Sequence, residues 1–415
     1  MTQTLLHQIL DYANRADPYP IYEELRKTPV HHETDGPYVI STYYEIRSLL
    51  HDPRISSDAR NLASGSADPL AEPASEESAL PPGFLRLDPP EHDRMRRMTN
   101  RHFGPPHSPR RVDGMRPELH DIVDGLIDGL GDPGRIDLVE EFSYPFPVTV
   151  ICRLLGVPRE DEARFHTWAD TLAASLDPDP DPDPDADPAE RGKGAHEARM
   201  ALGMYLAGLI EERRKNPGDD MLSQLATAKG QDGPMTTMEL LSTAALLLIA
   251  GHETTVNLIS NGMLTLLRNP DVLQRLRTEP RLAVPIVEEL LRFEPPVQLL
   301  PQRTTLADIE VRGVTIPKGS TLCLVLASGN RDPQRFENPD RFDPDRPDIQ
   351  HLGLGSGIHS CFGAPLARLE AQLALSELAR RLENPRLLDD PPQYRQNAVL
   401  RGPRHLRIAC DGIRP

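Results

Sequence analysis

Cysteine is scarce in this chain: its 415 residues include four, at Cys152, Cys323, Cys361 and Cys410. They lie far apart and form no Cys-x-x-Cys pair, so the sequence has neither the spacing of a disulfide scaffold nor that of a zinc site. This usage is typical of a protein from a reducing compartment.

Long apolar runs are missing as well. No window reaches the roughly 18 apolar residues of a membrane-spanning helix. Residues 1–17 also lack the basic segment followed by an apolar core that marks a secretion signal. We therefore expect a soluble, cytoplasmic protein that does not use a membrane as its partner.

Basic residues are outnumbered, because 46 Lys and Arg stand against 63 Asp and Glu for a formal net charge of −17 at pH 7. Such a charge disfavours nucleic acid and anionic membranes as partners. The stretch 92–102, which continues to Arg110 and Arg111, is basic with a single acid. It fits either a solvated helix face, the commoner situation, or a surface around Arg97 and Arg101 that docks an acidic redox protein.

Helical periodicity is what the chain has in abundance. Apolar residues recur at helical spacing over residues 117–130, 145–155, 159–176, 196–215 and 236–268, with shorter amphipathic helices at 20–27 and 43–51. Strand patterns are few: residues 38–41, an alternation over 307–327, and a hairpin over 399–409 that turns at Gly402 and Pro403. Because no linker divides it, we expect one domain spanning residues 1–415, mainly α with small β-sheets.

Two segments lack this periodicity. Residues 56–83 are rich in Ser, Ala, Pro and acids and are predicted to form a long mobile loop. Residues 177–188 are an Asp-Pro repeat, in which proline removes amide donors and the aspartates repel each other, so an extended, solvated segment is expected. Metal binding by these aspartates has weak support, since no preformed geometry brings them together.

One cysteine stands at the mouth of a helix. Cys361 is surrounded by Gly353, Gly355, Gly357 and Gly363, and a helical pattern starts at residue 364. The glycines allow N–H groups to turn toward the sulfur and bulky ligand surface to approach, while the helix dipole adds positive potential. Both effects favour a thiolate, the form in which cysteine binds a haem iron. The alternative is a buried structural cysteine after a Gly-rich turn.

The longest predicted helix begins with Thr236 and Glu239 at capping-box spacing and is almost wholly apolar before residue 250. Gly251 is unfavourable in mid-helix by roughly 1 kcal/mol relative to alanine. Thr254 lies four residues after Ala250 and is placed to bond its carbonyl and bend the helix. These residues fit a ligand groove, or else a core helix with a polar end.

Together these segments resemble the cytochrome P450 superfamily. Gly357, His359, Cys361 and Gly363 match its haem-binding pattern Phe-x-x-Gly-x-(His/Arg)-x-Cys-x-Gly, with Leu354 in place of the aromatic residue. Residues 250–255 match its pattern (Ala/Gly)-Gly-x-(Asp/Glu)-Thr-(Thr/Ser) in full. The resemblance covers nearly the whole chain and implies the family's fold, a triangular prism of helices around a buried haem.

The resemblance also implies roles. Cys361 is the expected iron ligand of haem b, Thr254 is expected to donate a hydrogen bond to dioxygen, and Glu253 to help conduct protons. The residues expected to contact the haem are His92, Arg96, Ala250, Arg303, Gly355, His359, Cys361 and Gly363. Of these, His92 and Arg96 share a helix face, and they join Arg303 and His359 as the expected donors to the propionates.

Two further groups follow from the family's pattern. Glu289 and Arg292, three residues apart on one helix face, would alone be an ordinary surface pair. The resemblance instead makes them a buried structural network with Arg346 beneath the cysteine loop. The expected substrate pocket is apolar and consists of Ala250, Val297, Leu299 and Leu300, with the Asp-Pro repeat over its entrance.

The function implied is that of a monooxygenase which takes electrons from a ferredoxin and inserts one oxygen atom into an apolar small molecule, by hydroxylation or epoxidation. We expect a monomer and favour a polyketide or macrolide-like secondary metabolite over a fatty acid, terpenoid or steroid. A non-catalytic haem protein would not need the Glu253-Thr254 pair. A cysteine hydrolase using Cys361 and His359 lacks an orienting acid, and a peroxide-driven enzyme would not need Thr254.

Overall fold

A computed structural model describes residues 4–34, 36–61, 83–103, 109–176, 188–228 and 233–415. Most of the predicted loop at 56–83 and nearly all of the Asp-Pro repeat lie outside these ranges. The α-helices within them are α1 Leu5–Leu10, α2 Tyr19–Arg26, α3 Tyr43–Leu50, α4 Glu91–Phe103, α5 Pro109–Gly114, α6 Arg116–Asp128, α7 Pro145–Leu155, α8 Glu162–Leu176, α9 Pro188–Lys215, α10 Met221–Thr227, α11 Thr237–Arg268, α12 Pro270–Thr278, α13 Ala283–Phe293, α14 Leu326–Gly329 and α15 Ala364–Arg381.

The strands are short. They are β1 Val30–His32, β2 Tyr38–Ile40, β3 Ile55–Ser56, β4 Ile136–Asp137, β5 Leu300–Thr305, β6 Ile309–Val311, β7 Val314–Ile316, β8 Thr321–Leu324, β9 Leu382–Glu383, β10 Arg386–Leu387, β11 Arg407–Ala409 and β12 Gly412–Ile413. Single helical turns, 3₁₀ in type, lie at Tyr12–Asn14, Ala59–Asn61, Phe84–Arg86, Arg159–Asp161, Pro280–Leu282 and Gly357–His359, and a π turn lies at Val139–Ser143. The chain is therefore mainly helical with small sheets, as predicted.

Helix α11 runs through the centre of the molecule. Its start is set by the predicted capping box, in which the Glu239 amide donates to Thr236 Oγ1 at 3.2 Å and the Thr236 amide donates to Glu239 Oε2 at 2.8 Å. The helix contacts α7, α9, α13 and α15. Because it is surrounded in this way, most of its apolar side chains are buried.

The predicted helices are confirmed with small shifts at their ends. Helix α7 has the predicted bounds, and the prediction at 159–176 divides into a 3₁₀ turn followed by α8. Helix α9 begins at Pro188, eight residues before the predicted start at residue 196. Proline suits the first turn of a helix because the backbone amides of that turn have no partner within the helix, so its missing N–H costs nothing. The residues that follow are polar and show no apolar periodicity, so the sequence pattern did not predict this extension.

The largest sheet has five strands in the order β1-β2-β8-β5-β3. Strand β2 pairs with β8 in parallel, and β8 pairs with β5 antiparallel, with a register shift between Leu300 and Arg303. Gln302, inside that bulge, has a φ of 62°. The bulge re-aims the strand next to the candidate site, as bulges commonly do.

The predicted hairpin over 399–409 is wrong. Strand β11 pairs with β10 and β4, and the segment before it makes only isolated bridges. Its backbone instead packs on α11: Asn261 Nδ2 donates to the Arg401 carbonyl at 2.9 Å, and a Cβ on Gly402 would lie 2.2 Å from Asn257 Oδ1. A turn signal in the sequence does not show that a long-range partner has taken the flanking residues.

One large hydrophobic cluster includes residues from Phe84 to Cys410, and two smaller clusters lie under the five-stranded sheet and the amino-terminal helices. The larger cluster surrounds α11 and α15. No helix of the described ranges is long and apolar enough to cross a membrane.

Candidate functional site

The cysteine loop, residues 353–363, is wedged between other elements. A Cβ on Gly353 would lie 2.1 Å from the Leu291 carbonyl oxygen of α13, and one on Gly357 would lie 2.0 Å from the Leu50 carbonyl oxygen of α3. Gly357 also has a φ of 70°, and Gly355 one of 67°. Three of the four glycines are therefore required by close approach or by backbone conformation.

Gly363 differs, because apart from its chain neighbours no heavy atom of the described residues lies within 4 Å of its Cβ position. It stands at the start of α15 beside Cys361, where the backbone amides of Gly363 and Ala364 lower the pKa of the thiol. The open space next to Gly363 fits the predicted approach of a bulky ligand.

Burial raises the pKa of the Cys361 thiol, and the two amides together with Arg96 only partly oppose this. The side chain nevertheless retains exposed surface. Both observations hold if the sulfur lines an interior space, with protein close around it and no bulk water. A haem iron bound at the sulfur would add positive charge and so favour the predicted thiolate form.

The middle of α11 faces such a space. Ile249 is 46% exposed, and Ala250 is exposed beside it, although both lie in the middle of an otherwise buried helix. Thr254 Oγ1 donates to the Ala250 carbonyl at 2.7 Å, as predicted. A Cβ on Gly251 would lie 2.9 Å from Ile151 Cδ1 of α7, so this glycine makes room for a neighbouring helix and not for a ligand.

Glu253 is buried and paired. Its Oε1 lies 3.4 Å from Arg395 Nη1, and both side chains are almost fully buried. Next to it, the ring of His252 packs against Tyr144 with centroids 4.4 Å apart, and burial lowers the pKa of His252 to about 3. Arg395 was not predicted, because it comes from the carboxyl-terminal segment and no motif marks it.

Two histidines converge near the cysteine loop. The rings of His92 and His359 have centroids 4.4 Å apart, and His92 Nε2 and His359 Nδ1 are buried without a hydrogen-bond partner. His92 Nδ1 already bonds Asp93 at 2.8 Å. Burial, with His92 and two arginines nearby, lowers the pKa of His359 to about 3.

Two arginines complete the cluster. Arg96 Nη2 donates to the Ser360 carbonyl at 2.7 Å. The pKa of Arg303 is lowered to about 10, mainly because the side chain is buried and next because the positive charge of Arg86 lies nearby. Donors that are buried with cations around them fit anionic groups, and the two carboxylates of a haem are such groups. The predicted set His92, Arg96, Arg303 and His359 is thus brought together.

The β5 bulge is what turns Arg303 inward. Gln302 takes the left-handed conformation, and its Oε1 accepts from Arg86 Nη1 at 3.1 Å. Backbone strain of this kind gathers at functional sites. No motif in the sequence marks Arg86, and its place six residues before His92 is the one signal that associates it with this cluster.

The network predicted beneath the loop is present. Arg292 Nη2 and Nε donate to the two oxygens of Glu289 at 2.7 and 2.8 Å, and Arg346 Nε lies 3.5 Å from Glu289 Oε2. Glu289 also accepts from the Asp343 amide at 2.8 Å. Glu289 and Arg292 are fully buried, so removing one partner would leave an uncompensated charge, at a cost of about 3–5 kcal/mol.

The predicted pocket residues divide. Val297 and Leu300 are partly buried and pack on the cluster under the five-stranded sheet. Leu299 is fully buried in the other small cluster, with Leu6 and Ile9 of α1, so its assignment to the pocket is corrected. Adjacent residues of an extended segment point to opposite faces, and Leu299 takes the face opposite Leu300.

Of the predicted docking surface, Arg97 is exposed on α4, the helix that also carries His92 and Arg96. The side chains of Arg101, Arg110 and Arg111 lie outside the described part of the chain. Leu354, at the family's aromatic position, packs on the large core cluster, as does Phe362, whose ring lies 5.7 Å from that of Phe84.

A glycine comparison tests how the loop is held. Gly357 has a φ of 70° and Gly313 has one of 77°, but of the two only Gly357 is crowded by neighbouring atoms. Gly313→Ala should lower the free energy of unfolding by about 1–2 kcal/mol, from the left-handed backbone alone. Gly357→Ala should cost a further ~1–3 kcal/mol from the clash with Leu50. Equal losses in urea unfolding of the two variants would contradict the packing described for the loop.

Comparison with known proteins agrees with this geometry. Residues 71–409 match the family model described as "Cytochrome P450". The chain is 42% identical to cytochrome P450 monooxygenase PikC of Streptomyces venezuelae over 95% of this chain and 91% of that one. It is 36% identical to 6-deoxyerythronolide B hydroxylase of Saccharopolyspora erythraea over 95% of this chain and 96% of that one.

A solved structure shares the fold. The ligand-free crystal structure of CYP164A2 from Mycobacterium smegmatis is 41% identical and superposes with a TM-score of 0.83, covering 98% of this chain and 99% of that one. The predicted resemblance is therefore confirmed, and so are the mainly helical fold and haem b as cofactor. The chain belongs to the cytochrome P450 family of monooxygenases.

Proposed function

We propose that the chain holds haem b through Cys361 Sγ, with His92, Arg96, Arg303 and His359 on its propionates. The observation that supports this most directly is the cluster next to the cysteine loop, in which His92 Nε2 and His359 Nδ1 are buried without a hydrogen-bond partner. The partly buried guanidinium groups of Arg96 and Arg303 lie close enough to lower the pKa of His359. Gly355 shapes the loop, and its amide donates to the Leu352 carbonyl at 2.8 Å. Glu289, Arg292 and Arg346 support the loop from below without touching the cofactor.

Bound haem supplies the activation of dioxygen by two electrons, so that one oxygen atom enters the substrate and the other leaves as water. The chain supplies protons and position. Thr254 can turn its hydroxyl from the Ala250 carbonyl, 2.7 Å away, toward dioxygen. Glu253 is the adjacent carboxylate that passes protons inward, and Arg395 holds it in place in the absence of turnover.

The substrate we propose is an apolar small molecule, hydroxylated or epoxidised, of the macrolide-like polyketide class. Apolar surface beside the site would bind a hydrophobic ligand and exclude water. This surface is formed by Ile249, Ala250, Val297 and Leu300. A relative carries the name 6-deoxyerythronolide B hydroxylase. The compound 6-deoxyerythronolide B is therefore the first to test as a substrate. Its binding would be measured by the change in the spin state of the haem iron.

For the other properties we propose one domain over residues 1–415, a monomer, a cytoplasmic location and a ferredoxin as electron donor. One core cluster joins residues from 84 to 410. Cys152, Cys323 and Cys410 are buried and none of them forms a disulfide, as is usual in a reducing compartment. Arg97 is exposed on the helix that reaches the cysteine loop through Arg96, and this supports the proposal that a donor docks on that helix.

The first prediction concerns Cys361. Reduced wild-type protein with carbon monoxide should show the strongly red-shifted Soret band of a thiolate-ligated haem, and Cys361→Ala should lose it because no other thiolate reaches the iron. The control is Cys410→Ala, which removes a distant thiol and should keep the band. An unchanged spectrum in Cys361→Ala would overturn the proposed ligation.

The second prediction concerns Thr254. Thr254→Ala should still bind haem but divert electrons from product into peroxide, because the hydroxyl that guides protons is lost. Thr254→Ser keeps that hydroxyl and should stay close to the wild type. The measurement is the ratio of product to electron donor consumed, with peroxide assayed in parallel. Fully coupled turnover in Thr254→Ala would instead favour a site that does not use this residue.

The third prediction concerns the donor surface. Replacing Arg97 and Arg101 by Gln should raise the ferredoxin concentration needed for half-maximal turnover, mostly at low salt, because charge attraction is screened as salt increases. Lys215 and Lys318, replaced together by Gln, remove the same charge elsewhere and serve as the control. The same shift in both double variants would mean that net charge alone is sensed and no specific surface exists.

A further inference from the structure

Glu288, the residue before the buried Glu289, holds a second network that the sequence did not suggest. Its two oxygens accept from Arg368 Nε at 2.6 Å and Arg368 Nη2 at 2.9 Å. His351 Nε2 lies 3.3 Å from Glu288 Oε2. Burial opposes its ionisation, but the hydrogen bonds from His351 and Arg368 hold the pKa of Glu288 at about 2. Glu288 is thus a carboxylate at any working pH.

This network reaches the start of the cysteine loop. His351 Nδ1 accepts from the Gly353 amide at 3.1 Å, so its proton must be on Nε2, which donates to Glu288. The His351 side chain is nearly buried, and a Cβ on Gly353 would collide with α13. The loop therefore begins in a position that is set by α13 and by His351.

The same network reaches the end of the loop. Arg368 lies on α15 four residues after Ala364, the first residue of the helix that follows the cysteine loop. Side chains on a helix lean toward its amino terminus, so the Arg368 guanidinium lies over the turn that faces the sulfur. Consistent with this, Arg368 favours negative charge on Cys361. One carboxylate on α13 thus joins both ends of the loop.

Glu288 and Glu289 are neighbours on α13, but they bond different partners. Glu289 is fully buried and bonds Arg292 on the same helix. It also accepts from the Asp343 amide and pairs with Arg346, and these two residues belong to the segment before the loop. Glu288 is rotated by about 100° on the helix, one residue of a 3.6-residue turn. It is partly exposed and bonds His351 before the loop and Arg368 after it. The first network supports the loop from a distance, whereas the second contacts it.

We propose that Glu288 is a positioning residue for Cys361: through His351 and Arg368 it holds the loop in place, and by neutralising Arg368 it keeps the thiolate a strong electron donor. The inference rests on Cys361 as the iron ligand. An Arg368 without its carboxylate would draw negative charge onto the sulfur and away from the iron, which eases the uptake of an electron by the ferric iron.

The test is the ferric/ferrous potential of the substrate-free holoprotein, measured by redox titration with dithionite. Glu288→Gln keeps the size of the side chain but removes its charge, and the potential should shift upward. Arg368→Met removes the cation and should shift it downward, and the double variant should return toward the wild type. Glu377→Gln is the matched control, because Glu377 pairs with Arg380 on the same helix α15 at an i, i+3 spacing.

His351→Phe separates position from charge. It leaves the Glu288–Arg368 pair but removes the acceptor for the Gly353 amide, so haem transfer to apomyoglobin should be faster with little change in potential. Equal potentials in the wild type, Glu288→Gln and Arg368→Met, together with an intact thiolate spectrum, would overturn the proposal. If Glu288→Gln yields no holoprotein, the potential of Arg368→Met decides alone. A wild type without the thiolate spectrum would instead refute the ligation.

Discussion

The burial of one sulfur atom, that of Cys361, is the constraint on which most of the site depends. A thiolate away from bulk water is unfavourable unless charge and hydrogen bonds compensate it. The structure provides amides from Gly363 and Ala364 and positive charge from Arg96 and Arg368, yet burial still raises the pKa of the thiol. A metal cation bound to the sulfur would add the positive charge that favours the thiolate. Metal binding and the thiolate form therefore stabilise each other.

The position of that sulfur is in turn set by buried charges. Glu289 and Arg292 have no exposed side-chain surface, and Arg401 is likewise buried, with bonds to the Arg15 and Ala16 carbonyls and to Glu294. Such groups contribute little net stability compared with apolar residues of the same size, but a broken pair is costly. They favour one arrangement of the loop and the terminal segments over its alternatives, and a ligand atom needs such an arrangement.

Helix α11 forms the other side of the site, and it is constrained by the need to carry polar residues within an apolar core. Helix α11 must be apolar to lie in the centre of the core, yet it has to carry Glu253 and Thr254 toward an interior space. It does so by bonding the Thr254 hydroxyl to its own backbone and by pairing Glu253 with Arg395 from the carboxyl-terminal segment. The hydroxyl of Thr254 has a hydrogen-bond partner and the charge of Glu253 has a partner of opposite sign, so both side chains are held within the core.

Much of this could be predicted from the sequence, because it is local. Apolar periodicity predicted α6, α7 and α11, the Thr236–Glu239 spacing predicted the start of α11, and the glycines around Cys361 predicted a special loop. Motif spacing likewise predicted which residues meet around the haem, since the family's order of motifs carries long-range information. The roles of those residues remain predictions.

What only the tertiary structure decided are contacts between distant segments. The strand partners of β11, the burial of Leu299 against α1, the Glu253–Arg395 pair and the Glu288 network each join residues whose separation in the chain leaves no periodic or local signal. A carboxylate and a guanidinium are compatible with solvent or with any partner, and the fold selects among them. The sequence by itself determined which chemical groups are present and which helices carry them, while packing determined which groups meet.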